Sequence, residues 1–298
     1  MNVFAIVNPL SGAGADPDVA AERVALLTER FAAEGVDAIV HLTERRHHAT
    51  DLARTAIASG ASIVIAWGGD GTINEVASVI DGSGRAMGVI PAGSGNGFAR
   101  ELGLPAEPHA AIDVILRGRD MLIDVGELDG RSFFNIAGIG VDAVIAEQFN
   151  TRAMGRRGMG PYVIIGLREA FRYRAARYRI VLDGEEVHSS ALLIAFANGR
   201  EYGNGIRLAP HARMDDGKLE AVVVEDRSPL ARLWGGRHLV RGTTHLAAKI
   251  TLRSIERAEV HSDAPIRYHL DGETGQADRH VRVCIHPKRL RMRVPVSC

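Results

Sequence analysis

The chain has 298 residues, 46% of them hydrophobic and 24% charged, which is typical of a folded globular protein and excludes a disordered or fibrous one. Its 36 basic and 36 acidic residues balance, so no overall field favours nucleic acid as a partner. No apolar run approaches the roughly 18 residues of a membrane-spanning helix, nothing before the first strand predicts a signal peptide, and Cys284 and Cys298 suggest no disulfide framework. We therefore expect a cytoplasmic protein.

Apolar runs and helical patterns alternate through the first third of the chain. The patterns predict strands at 3–7, 36–42, 62–67 and 86–90, and helices at 19–33, 49–58 and 74–80. This alternation is typical of a doubly wound parallel sheet with helices on both faces. Such sheets bind ligands at the carboxyl ends of their strands.

Strand-like stretches dominate from about Leu122 onward. They are predicted at 133–137, 178–182, 191–197, 219–224, 281–285 and 290–294, with helices near 162–175 and 229–239. Turn signals separate them at Asp183-Gly184, Asp216-Gly217 and Asp271-Gly272. The predicted fold is therefore α/β, with an N-terminal doubly wound parallel sheet over 1–122 and a mostly antiparallel β-sandwich over 123–287. The last strand, about 288–298, is expected to return to the first domain.

Three glycine-rich segments follow predicted strands directly, at Asn8–Gly14, Gly68–Thr72 and Pro91–Gly97. Glycine lets a backbone approach a phosphate closely and present its N–H groups, and a helix that begins afterwards adds its dipole. Each segment alone could be only a tight turn. Three at successive strand ends predict a polyphosphate site, although neither a P-loop nor a dinucleotide fingerprint is present.

Asp70 lies among glycines that would bind phosphate, where a carboxylate would repel the ligand unless it has a task. It could help hold a Mg²⁺ ion, or accept the proton of an attacking hydroxyl. The alternative is a helix N-cap, which would stabilise the following helix by about 1 kcal/mol. The sequence leaves these roles open.

The segment Gly68-Gly69-Asp70-Gly71-Thr72, with Ile73-Asn74-Glu75-Val76 after it, resembles the signature of the diacylglycerol kinase catalytic family. That family includes bacterial lipid kinases and sphingosine and ceramide kinases. The resemblance also takes in Asn8-Pro9, 91–100, 135–140, 215–217 and 271–273. The Asp70 loop alone is shared with NAD kinases, so the full set is more specific. It implies a kinase that uses ATP and Mg²⁺.

The resemblance also implies roles for individual residues. It places the nucleotide near Asn8, Thr43, Gly68, Gly69, Asp70, Gly71, Thr72, Ser94, Gly95, Asn96 and Arg100. It offers Glu273 or Asp70 as the general base, and a Mg²⁺ site made by the carbonyls of Arg213 and Lys218 and the carboxylate of Asp216. From the sequence alone, Asp216 could equally lie in a plain hairpin turn, and Arg100 could be a solvated helix residue.

Two further positions bear on the site. Bacterial diacylglycerol kinases typically have Asn-Asp where this chain has Asn96-Gly97, and the glycine form resembles sphingosine-kinase-type members instead. Asp124 is a weaker candidate for a metal network, with a polar contact at the domain junction as the alternative. The 12 histidines show no spacing along the chain that indicates a metal site.

A basic segment offers a route to a lipid substrate. Between Arg152 and Arg179 there is one acidic residue, Glu169, and there are eight arginines, at 152, 156, 157, 168, 172, 174, 177 and 179. Such a segment can bind anionic lipid at a membrane surface. A solvated helix face is the alternative. We expect a peripheral protein that binds no nucleic acid and forms an oligomer, most simply a dimer.

The sequence thus predicts an ATP- and Mg²⁺-dependent lipid kinase that phosphorylates a primary hydroxyl, with diacylglycerol as the favoured acceptor. A sphingoid-base or ceramide kinase, an enzyme like NAD kinase, and a non-catalytic sensor of lipid or nucleotide are the alternatives.

Overall fold

A computed structural model describes residues 2–12, 17–152, 169, 172–203, 206–228 and 249–296. The chain divides into two compact units, Met1–Ile123 with Lys288–Cys298, and Asp124–Pro287. Among the described residues, no helix combines the length and the apolar character needed to cross a membrane.

The first unit is a parallel sheet with helices between its strands. Its elements are β1 (Asn2–Val7), α1 (Pro17–Ala33), β2 (Asp37–Leu42), α2 (His48–Ala58), β3 (Ile63–Gly68), α3 (Asp70–Ile80), β4 (Ala86–Pro91), α4 (Gly97–Glu101), α5 (Pro108–Arg117) and the start of β5 (Arg119–Leu128). Strands β2, β1, β3 and β4 lie side by side in that order, all parallel. The end of β17 (His280–Val294) pairs with β4, also in parallel.

Strands β1, β3 and β4 are buried almost throughout, because helices cover a parallel sheet and leave no polar face. Leu27 and Phe31 of α1 and Ile112 and Ile115 of α5 pack into one core with these strands. The predicted α/β order of this unit is confirmed. The rigid sheet fixes the positions of the loops that follow its strands.

Helix α3 begins a full turn earlier than predicted. The sequence places the helix after β3 at 74–80, whereas α3 begins at Asp70. Gly69 is its N-cap, with an extended backbone and no capping side chain. The N-cap alternative for Asp70 is therefore wrong: its carboxylate lies in the first turn of α3, where it interacts favourably with the positive end of the helix dipole.

The second unit is mostly antiparallel. After the end of β5 it contains β6 (Arg131–Phe133), β7 (Ile136–Gly140), α6 (Val141–Arg152), β8 (Ala176–Leu182), β9 (Glu185–Ala197), β10 (Glu201–Gly203), β11 (Ile206–Arg207), β12 (Leu219–Glu225), β13 (Ile250–Ile255), β14 (Arg257–Ser262), β15 (Ile266–Leu270), β16 (Glu273–Ala277) and the first part of β17. Strand β9 pairs with β7, β8 and β12, and β14 pairs with β8 and β17, in antiparallel fashion each time. The prediction of an antiparallel second domain is confirmed.

Two strand predictions are wrong in detail. The strand predicted at 133–137 is two strands, β6 and β7, because the backbone N–H groups of Phe134, Asn135 and Ile136 bond to the carboxylate of Asp271 instead of to a neighbouring strand. The strands predicted at 281–285 and 290–294 form one strand, β17, with Lys288 in a left-handed conformation (φ 53°) along it.

Helix α6 has no counterpart among the predicted elements. The helix predicted at 229–239 lies outside the described residues, as does most of the one predicted at 162–175.

Candidate active site

The loop after β1 is linked to the start of α3 by a side-chain hydrogen bond. Asn8 Nδ2 donates to Thr72 Oγ1 at 2.9 Å, while Asn8 Oδ1 accepts from the backbone N–H of Leu10 at 2.9 Å. Asn8 and Thr72 were both predicted to contact the nucleotide. The structure places them together, with Asn8 half-buried and Thr72 buried.

Arg23 of α1 holds the same loop, a role that no sequence pattern indicated. Its guanidinium donates to the carbonyl of Asn8 at 2.8 Å, and to the Oγ and carbonyl of Ser11 at 3.0 and 2.8 Å. It also lies 5.3 Å from the centre of the Trp67 ring. Burial lowers the pKa of Arg23 from its ordinary value. A helical residue twelve positions from its partner carries no local signal of this role, so only the fold reveals it.

The second and third glycine-rich loops contact each other closely. A Cβ on Gly69 would lie 3.3 Å from Gly93 Cα, and one on Gly93 would lie 2.8 Å from Gly69 Cα. A Cβ on Gly95 would lie 2.8 Å from Asp70 Oδ2, so only glycine leaves the Asp70 carboxylate its present place. The predicted convergence of loops is therefore present in the first unit: Asp70, Thr72, Asn8 and Gly95 form one cluster, which we call the phosphate-loop cluster.

The third loop is held in shape by its own asparagine. Asn96, in a left-handed conformation (φ 48°), accepts from the N–H of Gly93 at 2.8 Å and donates to its carbonyl at 2.7 Å. Arg100 in α4 bonds to the carbonyl of Gly95. Asn96 and Arg100 thus shape the loop and leave Ser94 exposed at its tip. Their contact with a nucleotide stays a prediction.

The remaining predicted nucleotide positions, Gly68, Gly71 and Thr43, differ in how closely they are packed. Gly68 fits closely under α3, since a Cβ there would lie 2.6 Å from Thr72 Cβ, whereas Gly71 has open space around it. Thr43 follows β2, where its N–H bonds to the carbonyl of Val7 at 2.9 Å. It therefore lies at the carboxyl end of the sheet.

In the second unit, Asp271 organises the turn that carries Glu273. Its carboxylate accepts three backbone N–H groups at 2.7 to 2.9 Å, from Phe134, Asn135 and Ile136. Its own N–H bonds to the carbonyl of Ile136 at 2.9 Å. Glu273 follows at the start of β16, with its side chain 38% exposed and Oε2 3.7 Å from a guanidinium nitrogen of Arg131.

A buried pair lies beside this turn. His269 Nε2 is 2.7 Å from Asp142 Oδ2, and both side chains are almost wholly buried. His269 Nδ1 accepts the N–H of Gly272 at 3.3 Å. Burial works to lower the pKa of His269, but the charge and hydrogen bond of Asp142, together with the charge of Asp271, raise it overall. No sequence pattern links His269 to Asp142, because the two residues are 127 positions apart.

Gly138 makes room for the His269–Asp142 pair. A Cβ at this position would lie 2.1 Å from Asp142 Oδ2 and 2.4 Å from His269 Nε2. The pair therefore depends on a glycine in β7, one of the residues in the 135–140 segment that carries the resemblance.

The predicted Mg²⁺ loop also belongs to the second unit. Asp216 Oδ1 accepts the N–H of Lys218 at 3.1 Å, and Arg213 bonds to Asp215. The fully buried Asp124 accepts the N–H of Gly217 at 2.7 Å, and its own N–H bonds to the carbonyl of Met214 at 2.7 Å. Asp124 thus fixes the loop, and the Mg²⁺ assignment stays a prediction.

Family models match both parts of the chain. Residues 2–128 match the diacylglycerol kinase catalytic domain, and residues 135–294 match the YegS C-terminal NAD kinase beta sandwich-like domain. The fold is that of a kinase of this class. The chain belongs to the diacylglycerol kinase catalytic-domain family, as the resemblance of its motifs implied.

Individual relatives agree with this assignment. The chain is 36% identical to a diacylglycerol kinase of Mycobacterium tuberculosis over 78% of its length and 76% of the relative's. It is 30% identical to a Klebsiella pneumoniae protein named "Probable lipid kinase YegS-like", over 97% and 95% of the two chains.

Solved structures agree on the fold. A diacylglycerol kinase structure from Bacillus anthracis matches with a TM-score of 0.76 at 21% identity, over 98% of this chain and 96% of the other. An NAD kinase from Archaeoglobus fulgidus, solved in complex with ATP, matches with a TM-score of 0.56 at 11% identity, over 98% and 93%.

Proposed function

We propose that this protein is an ATP- and Mg²⁺-dependent lipid kinase that phosphorylates a primary hydroxyl of a lipid, with diacylglycerol as the favoured acceptor. The observation that carries the proposal is the phosphate-loop cluster. Asp70 lies in the first turn of α3, with Gly95 packed against its carboxylate and Asn8 bonded to Thr72. Diacylglycerol is favoured because the M. tuberculosis relative carries that name.

The glycines of the second and third loops suit a polyphosphate, because without side chains the two loops can approach each other closely and leave their backbone open to phosphate. A Cβ at Gly93 or Gly95 would come within 2.8 Å of atoms of Gly69 or Asp70. The backbone N–H groups at the start of α3 would bind phosphate oxygens, as helix N-termini generally do. Asp70 would then help to hold Mg²⁺, or accept the proton of the attacking hydroxyl.

Transfer requires a base for the acceptor hydroxyl. The hydroxyl proton passes to a carboxylate, Glu273 or Asp70, as the oxygen forms a bond to the γ-phosphorus. The bond from that phosphorus to its bridging oxygen breaks, and ADP leaves. Such catalysis depends mainly on positioning and on stabilisation of charge.

The oxygen donors of the loop at 213–218 suit a hard cation. Asp216 with the carbonyls of Arg213 and Lys218 would hold Mg²⁺. When bound, Mg²⁺ neutralises phosphate charge. The chain's own contribution there is the loop shape, which Asp124 maintains through Gly217.

Access to the lipid is proposed through the segment from Arg152 to Arg179. Most of it lies outside the described residues, but Arg172, Arg174 and Arg177 are exposed. Replacing these three with glutamate should reduce binding to anionic vesicles, while the same change at the exposed Arg45, Arg54 and Arg117 should not. Equal losses in both variants, or none in the first, would remove this segment from the proposal.

The central test is an ATP-consumption assay with diacylglycerol, a sphingoid base, ceramide, monoacylglycerol, NAD or no acceptor. Wild type should turn over with a lipid acceptor, and Asp70→Asn should lower the rate by at least about 100-fold. Asp51→Asn is the matched control, because Asp51 is also an acidic residue in the first turn of a helix.

Each other outcome has a meaning. Turnover with NAD would favour an NAD-kinase-like enzyme. Preference for a sphingoid base would favour a sphingosine-kinase-type enzyme, the alternative suggested by Gly97, which is buried at the start of α4. Normal turnover by Asp70→Asn would overturn the role of the phosphate-loop cluster, and no turnover by wild type with any acceptor would favour a sensor.

A further inference from the structure

Strands β14 and β17 bring together two histidines and a glutamate that are far apart in sequence. His261 and His280 are directly opposite each other in the antiparallel pairing, and Glu259 is two residues from His261 on the same face of β14. The alternating residues Ala258, Val260, Val281 and Val283 are buried on the other face. Because side chains alternate along a strand, all three polar side chains lie on the outer face.

The three side chains converge on one point. Glu259 Oε2 is 3.3 Å from His261 Nε2 and 3.3 Å from His280 Nε2. The two imidazole rings are stacked, with their centroids 4.2 Å apart. One carboxylate oxygen therefore reaches both ring nitrogens at once.

These separations are those of ligands around a tetrahedral ion. Zinc binds histidine nitrogen and carboxylate oxygen at about 2.0–2.1 Å, so two such ligands in a tetrahedron lie about 3.4 Å apart. Two histidines and one glutamate are also a ligand set that zinc uses while keeping a fourth position for water. Magnesium, by contrast, takes oxygen ligands.

A buried ring nitrogen is the second observation. His280 Nε2 is shielded from solvent, and Glu259 Oε2 lies 3.3 Å from it without the alignment of a well-formed hydrogen bond. A buried polar atom without a well-formed hydrogen bond is unfavourable, so it calls for a partner. A bound cation would satisfy it.

We propose that Glu259, His261 and His280 form a binding site for a divalent transition-metal ion of the zinc class, which pins β14 to β17 and is independent of the Mg²⁺ used in phosphoryl transfer. The histidines gave no such indication from their positions along the chain, because His261 and His280 are 19 residues apart and only the strand pairing unites them. The nearest charged neighbours in the pairing are Arg282, opposite Glu259, and Arg179, opposite His261. Both remain outside the ligand set.

The test is calorimetric titration of the chelator-treated full chain with Zn²⁺ at neutral pH. We expect one site whose affinity falls at least tenfold in His261→Gln and in His280→Gln. Excess Mg²⁺ should not compete. Co²⁺ should give the visible absorption of a tetrahedral ion in wild type and not in the two variants.

Two control variants make the outcome specific. His188→Gln removes an exposed histidine that has one glutamate partner, Glu186, at 2.8 Å and should leave binding unchanged. Cys284→Ser disables the other group of potential metal ligands in the described residues, Glu127, Cys284 and His286, and should also leave this site intact. No saturable uptake, or uptake lost only in Cys284→Ser, would overturn the proposal. Melting temperatures without metal verify that each variant folds.

Discussion

The second unit contains the tetrapeptide Leu-Asp-Gly-Glu twice, at 182–185 and at 270–273. Both copies form the turn of a hairpin, the first between β8 and β9 and the second between β15 and β16. Their backbones agree closely: Asp183 and Asp271 have φ of 48° and 50°, and Gly184 and Gly272 have φ of 91° and 93°. In both turns the aspartate carboxylate accepts hydrogen bonds from backbone N–H groups at or just before the start of another strand.

The surroundings of the two turns differ. The carboxylate of Asp271 bonds to three consecutive N–H groups in a partly buried setting, and that of Asp183 to two at the surface. The residue before Leu270 is the buried His269, whereas Val181 takes that place in the other turn. The tetrapeptide therefore determines the turn, while the buried contacts around the second copy distinguish it as the candidate catalytic turn.

The largest difference is expected in the rate of phosphoryl transfer when the glutamate of each turn, Glu273 or Glu185, is replaced. Glu273→Gln is expected to lower the rate of phosphoryl transfer by about 10²- to 10⁴-fold, the usual contribution of a general base. Glu185→Gln should change it less than about twofold, because Glu185 is 70% exposed and paired with Arg253. Initial rates with saturating ATP and lipid measure both. Equal rates in the two variants would assign the base to Asp70.

Substitution of the two aspartates should lower the unfolding free energy of the protein by different amounts. Asp271→Ala removes charge-assisted bonds to three partly buried N–H groups and should cost about 3 kcal/mol of unfolding free energy. Asp183→Ala should cost about 1 kcal/mol, since water can replace the carboxylate at the exposed N–H groups. The left-handed backbone conformation is common to both, so its cost cancels. Urea unfolding of the two variants gives the comparison, and an equal loss would contradict it.

The sequence predicted the sheet of the first unit well because hydrophobic runs and glycine-rich loops are local signals. It also predicted that Asp70 and the glycines of the third loop would lie near each other, since strand ends meet at one edge of a parallel sheet. It missed Arg23, Asp142 and the split between β6 and β7. Each of these depends on a partner more than ten residues away, as Asp271 is for Phe134, and no local pattern reports such a partner.

Protonation of His269 should make one turn respond to pH. The pKa of His269 is raised overall above its ordinary value, so its stabilising effect is fully present below about 6.5 and is lost as pH rises through the raised pKa. Protonation of His269 Nδ1 would break its hydrogen bond from the Gly272 N–H. Because that bond is long, at 3.3 Å, its loss offsets little of the stabilisation. The difference in unfolding free energy between wild type and His269→Gln should therefore shrink from acidic to alkaline pH.

Val181→Ala in the other turn serves as the control for that measurement, because Val181 has no titratable group. Its effect on unfolding free energy should be the same at each pH. If His269→Gln does not fold, Asp142→Asn removes the charge that raises the pKa and should show the same trend. A pH-independent difference in both would contradict the role of the pair.

The smallest effects should come from the arginines beside the two glutamates. Arg131 lies 3.7 Å from Glu273, and both side chains are substantially exposed, so Arg131→Gln should cost less than about 1 kcal/mol of stability. Arg253→Gln should also change stability little, because exposed ion pairs are screened by solvent. The two substitutions should nevertheless separate in kinetics: only Arg131 is near the proposed base, so only Arg131→Gln should alter the pH dependence of phosphoryl transfer. Identical pH–rate profiles for the two variants would mean that the charge beside Glu273 does not influence the reaction.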